Sequence, residues 1–286
     1  MRLGTRGSAL ALVQARWVAE RLDGPVELVE VTTTGDGDRA ARDKEKWVRE
    51  LDRALLDGEI DLAVHSAKDV PGQLADGVVI VGVPPRADAR DALCGAPSLD
   101  DLAPGAVVGT SSVRRAAQLH ALREDLVVRE LRGNVDTRLR RLADGGYDAI
   151  VLACAGLERL GRADAITGVL DAFVPAAGQG ILALTARAGD TAAKQAAMAI
   201  TDLTAAAALA AERALVIALG ADCDTPVGAH CAVADQRLTL RAFVGRQDGS
   251  AWLRDEVSVG GVSPEALGAD VARRLLSAGA NEVLGR

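Results

Sequence analysis

The sequence predicts an α/β protein with two doubly wound lobes and a small C-terminal domain of α+β character. Short β-rich runs alternate with amphipathic helical periods in two successive stretches, and this alternation ends near residue 200. The length of 286 residues is about twice that of a typical domain of roughly 150, which favours several compact units.

The first stretch has the pattern of a βαβαβ unit. We predict strands over residues 2–5, 26–33 and 61–65 and helices over residues 8–22 and 46–56. Right-handed crossovers make such strands parallel, so the loops that follow them lie at one edge of the sheet.

The second stretch repeats this pattern. Strands are predicted over residues 106–109, 126–130 and 149–152, and helices over residues 112–122 and 134–142. A second, mostly parallel sheet with its own loop edge follows.

Proline and glycine mark the boundaries between these regions. The pair Pro84-Pro85 cannot continue a helix or a central strand, and residues 173–180 form a second candidate crossing. Two crossings between two lobes would allow a cleft that opens and closes. The predicted division is a first lobe of residues 1–84 and 179–199, a second lobe of residues 85–178 and a C-terminal domain of residues 200–286.

The C-terminal domain combines helices with short strands. Residues 204–219 are rich in alanine and predict a strong helix. Strands are predicted over residues 237–244 and 251–257. A last helix over residues 263–278 begins with Ser-Pro, a suitable cap and first position.

Composition excludes several classes of protein. The net charge is −7 and aromatic residues make up 2%, so the chain lacks the basic surface and stacking platforms of a nucleic-acid binder. The longest uncharged run, residues 172–186, is too short and too broken to cross a membrane. Four cysteines without CxxC spacing predict neither a disulfide scaffold nor a metal site, and they favour a reduced, cytoplasmic setting. A monomer is the default expectation.

Basic residues are concentrated in one segment. Residues 110–141 contain eight basic and four acidic residues, a local charge of +4 that leaves −11 for the rest of the chain. Such an island indicates either a solvated helix face or a pocket for a compact anion.

Two turns have the character of anion sites. Residues 5–8 and 110–112 each lead from a strand into a helix N-terminus, where N–H groups, hydroxyls and the helix dipole favour anions. The alternative is that Ser8, and Ser111 or Ser112, simply cap their helices. The arginines near these turns and the next strand end are Arg6, Arg114, Arg115, Arg132 and Arg138. Because a guanidinium group matches a carboxylate with two hydrogen bonds, five arginines suit a ligand with several carboxylates.

An acidic residue follows the third strand. Residues 65–71, with the sequence HSAKDVP, end this strand at the edge where active groups of open sheets cluster. In the simplest interpretation Lys68 and Asp69 form an exposed turn with a weak ion pair. Beside an arginine-lined cleft, Asp69 would instead stay ionised and stabilise a cationic intermediate.

Cys223 lies in a tight loop, residues 220–228, that is rich in glycine, proline and polar residues. A lone cysteine is most often a small buried hydrophobe, which fits Cys94 and Cys154 in their apolar runs. The loop of Cys223 also suits a point of covalent attachment.

Together these motifs resemble those of the porphobilinogen deaminase family, also called hydroxymethylbilane synthases. They occur in the family's order over about residues 2–230. They are Thr5-Arg6-Gly7-Ser8, HSAKDVP at 65–71, GTSSVRR at 109–115, Leu131-Arg132-Gly133-Asn134-Val135 with Thr137-Arg138, Ala155-Gly156-Leu157 with Arg159-Leu160-Gly161, Gly178-Gln179-Gly180 and the Cys223-x-x-Pro226-x-Gly228 loop.

The resemblance implies a fold and a set of site residues. The fold is two lobes like those of type II periplasmic binding proteins plus a small α+β domain, in which Cys223 carries a dipyrromethane cofactor through a thioether link. Asp69 is implied as the catalytic carboxylate. The implied cofactor-binding residues are Lys68, Ser112, Arg114, Arg115, Arg132 and Arg138, and the implied substrate-binding residues are Arg6, Ser8, Arg159 and Gln179.

The implied reaction condenses four porphobilinogen molecules head to tail, with release of ammonia at each step and of hydroxymethylbilane at the end. Loss of the amine leaves a cationic methylene on an electron-rich pyrrole, which Asp69 is expected to stabilise while it passes a proton to the amine. Each pyrrole carries two carboxylates, which accounts for the number of arginines.

Two segments depart from the family's pattern. Where the family has a Gly-Gly-Lys-Gly-Leu-Phe type motif, residues 36–46 form a shorter charged loop, with Lys44 and Trp47 as candidate counterparts. Whether this loop covers the cleft is left open. Before the cysteine, Ala221-Asp222 replaces the family's usual Gly-Gly, and the added carboxylate is a candidate modifier of the sulfur.

The main alternative is a non-enzymatic carboxylate-binding protein on the same bilobal fold. It explains the arginines but requires neither Asp69 nor Cys223. A nucleic-acid-binding regulator fits less well, because the basic segment is small.

Overall fold

A computed structural model describes residues 1–31, 45–222 and 224–286, and of residues 45–47 the backbone alone. The side chains of the charged loop 36–46, the side chain of Trp47 and all of Cys223 lie outside the described residues. None of the described helices is long and apolar enough to cross a membrane.

The described strands and helices alternate along most of the chain. The strands are β1 (Arg2–Thr5), β2 (Glu27–Glu30), β3 (Leu62–Ser66), β4 (Val78–Gly82), β5 (Asp91–Cys94), β6 (Val107–Gly109), β7 (Val127–Arg129), β8 (Ala149–Ala153), β9 (Gly168–Val169), β10 (Leu182–Arg187), β11 (Val227–Ala234), β12 (Arg237–Gly245) and β13 (Trp252–Gly260). The helices are α1 (Ala9–Ala19), α2 (Glu45–Leu56), α3 (Val113–Leu122), α4 (Val135–Ala143), α5 (Cys154–Arg159), α6 (Thr191–Ala199), α7 (Leu203–Ala218), α8 (Pro264–Ser277) and α9 (Ala280–Leu284). Single 3₁₀ turns lie at Ala67–Asp69 and Ala163–Ala165.

The described residues form two compact units. The first comprises residues 1–87 and 181–209, and the second comprises residues 88–180 and 210–286. The three-domain division with boundaries near residues 84, 178 and 199 stays a prediction.

The first unit is built on one mixed sheet with the strand order β2-β1-β3-β10-β4. β1 is parallel to β2 and β3, as the βαβαβ pattern predicts, whereas β10 is antiparallel to β3 and β4. α1 covers one face, where Val18 is fully buried with Leu3, Leu62 and Leu184.

The second unit contains a sheet with the same arrangement, β7-β6-β8-β5-β9. β6 is parallel to β7 and β8, and β5, which precedes them in the chain, is antiparallel to β8 and β9. A separate antiparallel sheet, β11-β12-β13, contacts α8. The predicted fold class is confirmed, although both large sheets are mixed.

The elements of both predicted βαβαβ stretches are confirmed, with ends that differ by a few residues. The sequence analysis assigned no element to β4, β5, β10, β11 or α6. The first three strands are short, continuously apolar runs, and periodicity alone does not separate such runs from buried helix.

Asp52 is a buried acid in the first unit. It lies on α2, is 4% exposed, accepts a hydrogen bond from the backbone N–H of Ala75, and has no partner for Oδ1 among the described residues. Burial raises the pKa of Asp52 to about 6, against the opposing effect of the Ala75 hydrogen bond. Because the folded-state pKa exceeds the unfolded value, stability is lost as the pH rises from about 4 to about 6.

We expect the D52N variant to melt about 3 °C above the wild type near pH 7.5, because the amide removes a buried charge and still accepts from Ala75. This gain should shrink below about pH 5, where Asp52 is itself protonated. Thermal melting followed by circular dichroism at both pH values measures the effect, with the exposed Asp57→Asn as control. A D52N melting temperature at or below that of the wild type near pH 7.5 would contradict this assignment.

Candidate active site

In the first unit, the 3₁₀ turn Ala67–Asp69 presents Lys68 and Asp69 at the end of β3. Ser66 exchanges hydrogen bonds with the side-chain amide of Gln14 on α1, at 3.0 and 3.3 Å. The backbone N–H of Ala67 donates to the carbonyl oxygen of Ile181 at 2.9 Å. The turn is therefore held by α1 and by the chain that leads into β10, and its two charged side chains are half-buried.

A buried imidazole lies beside this turn. His65 Nε2 is 3.0 Å from the hydroxyl of Thr185 on β10. Burial lowers the pKa of His65 to about 4, with the charge of Asp69 raising it and that of Arg6 lowering it. His65 is therefore neutral at neutral pH, and Asp69 and Arg6 both lie close enough to act on it. The sequence analysis quoted His65 only as part of a motif.

The turn at residues 5–8 joins β1 to α1. The hydroxyl of Ser8 accepts a hydrogen bond from the N–H of Ala11 at 3.3 Å, so Ser8 is the N-cap. A side chain at Gly7 would overlap the carboxylate of Glu30, which explains a glycine at this position. Arg6 is half-buried next to it.

The corresponding turn of the second unit has the same capping geometry. Ser112 is the N-cap of α3 and accepts from the N–H of Arg115 at 3.4 Å, while its own N–H donates to the hydroxyl of Thr110 at 3.1 Å. Both serines therefore cap helices. A hydroxyl that accepts this bond still carries an O–H donor for a ligand.

Arg114 and Arg115 are both paired with a buried acid. Asp91 is 0% exposed at the start of β5. Its oxygens lie 2.8 and 3.2 Å from the Nη1 and Nη2 atoms of Arg114, and 2.9 and 2.7 Å from the Nε and Nη2 atoms of Arg115. Burial alone would raise the pKa of Asp91, but the two guanidinium charges hold it well below its usual range. The sequence analysis did not identify Asp91, which no local motif marks as a partner.

Two glutamines bind to the same region. Gln179 donates from Nε2 to Asp91 at 2.9 Å and to the carbonyl oxygen of Ala89 at 2.7 Å. Gln118, one helical turn after Arg114, donates to the carbonyl of Val174 at 3.0 Å and accepts from its N–H at 2.6 Å. Gln179 is 1% exposed, so its amide serves the interior of this unit.

The other predicted arginines are less buried. Arg132 is paired with Glu130 at 2.7 Å, and its side chain is 41% exposed. The Nε of Arg138 donates to the carbonyl of Gly133 at 2.7 Å, and burial together with repulsion from Arg115 lowers the pKa of Arg138 to about 10. The Nη2 of Arg159 donates to the carbonyl of Gly180 at 2.7 Å, and burial lowers its pKa.

The loop on either side of Cys223 is ordered by Asp222. Its Oδ1 accepts from the N–H of Asp224 at 3.0 Å and from the hydroxyl of Thr225 at 2.6 Å. The carboxylate that replaces the family's glycine is thus engaged within its own loop. Gly228 follows, and a side chain there would lie 2.6 Å from the carbonyl oxygen of Val174, so only glycine fits.

The described cysteines are poor candidates for attachment. Cys94, Cys154 and Cys231 are buried and unpaired in disulfides. Burial raises the pKa of Cys94 to about 11 and that of Cys154 to about 12, so neither forms a thiolate at neutral pH. Within the described parts of the chain, no cluster of His, Cys, Asp and Glu suits a metal ion.

A sequence model of the "Porphobilinogen deaminase, dipyromethane cofactor binding domain" matches residues 1–195, and one of the "Porphobilinogen deaminase, C-terminal domain" matches residues 206–277. This chain belongs to the porphobilinogen deaminase family. The resemblance drawn from the motifs is confirmed.

Relatives named porphobilinogen deaminase match this family member along almost its whole length. The protein from Thermus thermophilus is 47% identical, over 99% of this chain and 97% of the relative. That from Roseiflexus castenholzii is 45% identical, over the same shares of both chains. Among solved structures, a periplasmic substrate-binding protein of an ABC transporter from Coxiella burnetii is 17% identical, with a TM-score of 0.44 over 72% of this chain and 95% of that protein.

The second unit fits the carboxylate-rich dipyrromethane of a porphobilinogen deaminase. Arg114 and Arg115 share one carboxylate, which leaves an excess of one buried positive charge, and Arg138 lies close enough to repel Arg115. The buried Nε of Arg114 has no partner among the described residues. Ligand carboxylates would offset this excess of positive charge.

We expect the R138L variant to lose cofactor without losing stability. Its fraction carrying dipyrromethane should fall at least about tenfold, since a charge-assisted hydrogen bond is removed. Its melting temperature should be unchanged or higher, because a partly buried charge is removed as well.

Intact-protein mass and thermal melting measure the two effects. R141L, an exposed substitution on the same helix, is the matched control. Equal cofactor content in R138L, R141L and the wild type would place Arg138 outside the site.

Proposed function

We propose that this chain is a porphobilinogen deaminase, a transferase that condenses four porphobilinogen molecules into hydroxymethylbilane with release of four molecules of ammonia. The observation that carries the proposal is the family match along nearly the whole chain, at 47% identity over 99% of its residues. When bound, the dipyrromethane supplies the pyrrole carbon on which the chain of rings grows.

Asp69 is the residue that we assign to the chemical step. Ammonia leaves porphobilinogen only if the departing amine is protonated and the positive charge left on the methylpyrrole is stabilised. A carboxylate serves both needs, as a proton carrier and as a fixed negative charge. Its support is the braced turn after β3, where Asp69 acts on the neutral imidazole of His65.

We assign recognition of acetate and propionate groups to Arg132, Arg138 and Arg159. Among the described residues each of these side chains bonds one protein group, and a guanidinium has five N–H donors, so most of its donors are left for a ligand. Arg6, Ser8, Lys68 and Ser112 complete the proposed set.

Arg114 and Arg115 have a different part in the proposal. Most of their donors are used by Asp91 and by the carbonyls of Val174 and Val151. We assign them a positive field toward ligand carboxylates rather than a full two-pronged bond. Gln179, whose amide binds Asp91, acts through that carboxylate and not on the substrate directly.

Cys223 is the proposed attachment point. We expect the wild type, expressed in a cell that supplies porphobilinogen, to carry a mass increment of two linked pyrroles, and C223A to lack it. C94A should retain the increment, because Cys94 is buried and its pKa is raised to about 11. Intact-protein mass decides the matter. An unmodified wild type would contradict the proposal and favour the non-enzymatic carboxylate-binding protein.

D69N should keep the cofactor and lose turnover by at least about 100-fold, because an amide neither carries the proton nor stabilises the cation. The control is D76N, an exposed substitution in the following loop. Steady-state formation of hydroxymethylbilane and intact mass together test this. Turnover in D69N within about tenfold of the wild type would remove Asp69 from the chemical step.

A cytoplasmic monomer without nucleic-acid or membrane partners belongs to the same proposal. It is supported by the net charge of −7, the 2% content of aromatic residues and cysteines that suit a reduced setting.

A further inference from the structure

We propose that Asp91 is a positioning residue, which orients Arg114 and Arg115 and thereby sets how fast the chain acquires its dipyrromethane. This inference rests on the proposed function, because it assigns the oriented guanidinium groups to ligand carboxylates. Asp91 itself is fully buried and touches no ligand.

Asp91 is held firmly by the sheet. It is the first residue of β5, which lies between β8 and β9, so neighbouring strands fix its backbone on both sides. Its carbonyl accepts from the N–H of Leu170 at 2.9 Å. The carboxylate therefore projects from a rigid part of the second unit.

Both arginines reach this carboxylate from one helical turn. Arg114 and Arg115 are neighbours at the start of α3, where successive side chains point about 100° apart. Both guanidinium groups nevertheless end on Asp91, through contacts of 2.7 to 3.2 Å. The acid thus turns two divergent side chains toward one place.

The charges do not balance, which separates this cluster from an ordinary structural ion pair. Two guanidinium groups share one carboxylate, and Arg138 adds a third positive charge near Arg115. The Nε of Arg114 is buried and has no partner in the described part of the chain. An interior that keeps spare donors and spare positive charge is prepared for an anion.

Asp91 also reaches a second segment of this unit. Gln179 donates to it, and the next residue, Gly180, supplies the carbonyl that binds Arg159. Loss of the carboxylate therefore disturbs the two arginines of α3 directly and the anchor of Arg159 through one intervening residue.

The test is a double-mutant cycle on cofactor acquisition. Full-length apoprotein of the wild type, D91N, R115L and D91N/R115L is prepared without a porphobilinogen supply and then incubated with porphobilinogen. The rate at which intact mass gains two pyrroles is measured for each. D91N should load about 100-fold more slowly than the wild type, as expected for guanidinium groups displaced by about 1 Å. The double variant should load no more slowly than R115L, because Asp91 acts through that arginine.

Two further variants separate positioning from stability. D190N loosens the Arg187–Asp190 ion pair of the first unit, while asparagine preserves the cap of α6. It should melt at a lower temperature and load like the wild type. D91E keeps the negative charge but moves it by one methylene, so it remains informative if D91N does not fold. It should load at least about tenfold more slowly.

Loading of D91N or D91E at the wild-type rate would overturn the inference. So would independent, multiplying effects of D91N and R115L, which indicate a purely structural acid. Failure of the wild-type apoprotein to gain any pyrrole mass would instead contradict the proposed function itself.

Discussion

The second unit depends on a buried acid surrounded by more guanidinium groups than it neutralises. Asp91 comes from the middle of a sheet, its two arginine partners from a helix and its glutamine partner from the segment before β10. Removing one partner from a buried ion pair typically costs about 3–5 kcal/mol, a large part of a domain's stability of roughly 5–15 kcal/mol. The same contacts that hold the strand and helix together also keep positive charge in place for an anionic ligand.

The two units use one local design for different ends. In each, a strand leads through a short turn into a helix that a serine caps, Ser8 in the first and Ser112 in the second. Their third strands end differently. β3 is followed by the turn that carries Asp69, whereas β8 continues into the largely buried helix α5, whose last residue is Arg159. The first unit thus contributes an acid where the second contributes a cation.

Local sequence carried much of this description. Strand and helix periods predicted both βαβαβ stretches, and strand ends followed by serine and arginine predicted the turns. Asp91 was beyond such reasoning, because its partners lie 23, 24 and 88 residues away in the chain and meet only through the strand order. The same order explains why five arginines do not all face a ligand. Asp222 gave a similar lesson, since its carboxylate turns back onto its own loop rather than standing as an added charge beside the sulfur.

The place of β10 has a consequence for how the chain is made. This strand lies between β3 and β4, although about a hundred residues separate it from them in sequence. On a ribosome that adds roughly 5–20 residues per second, the amino-terminal sheet waits several seconds for its central strand. Until then β4 has no neighbour to pair with, and its exposed edge is a natural target for a chaperone.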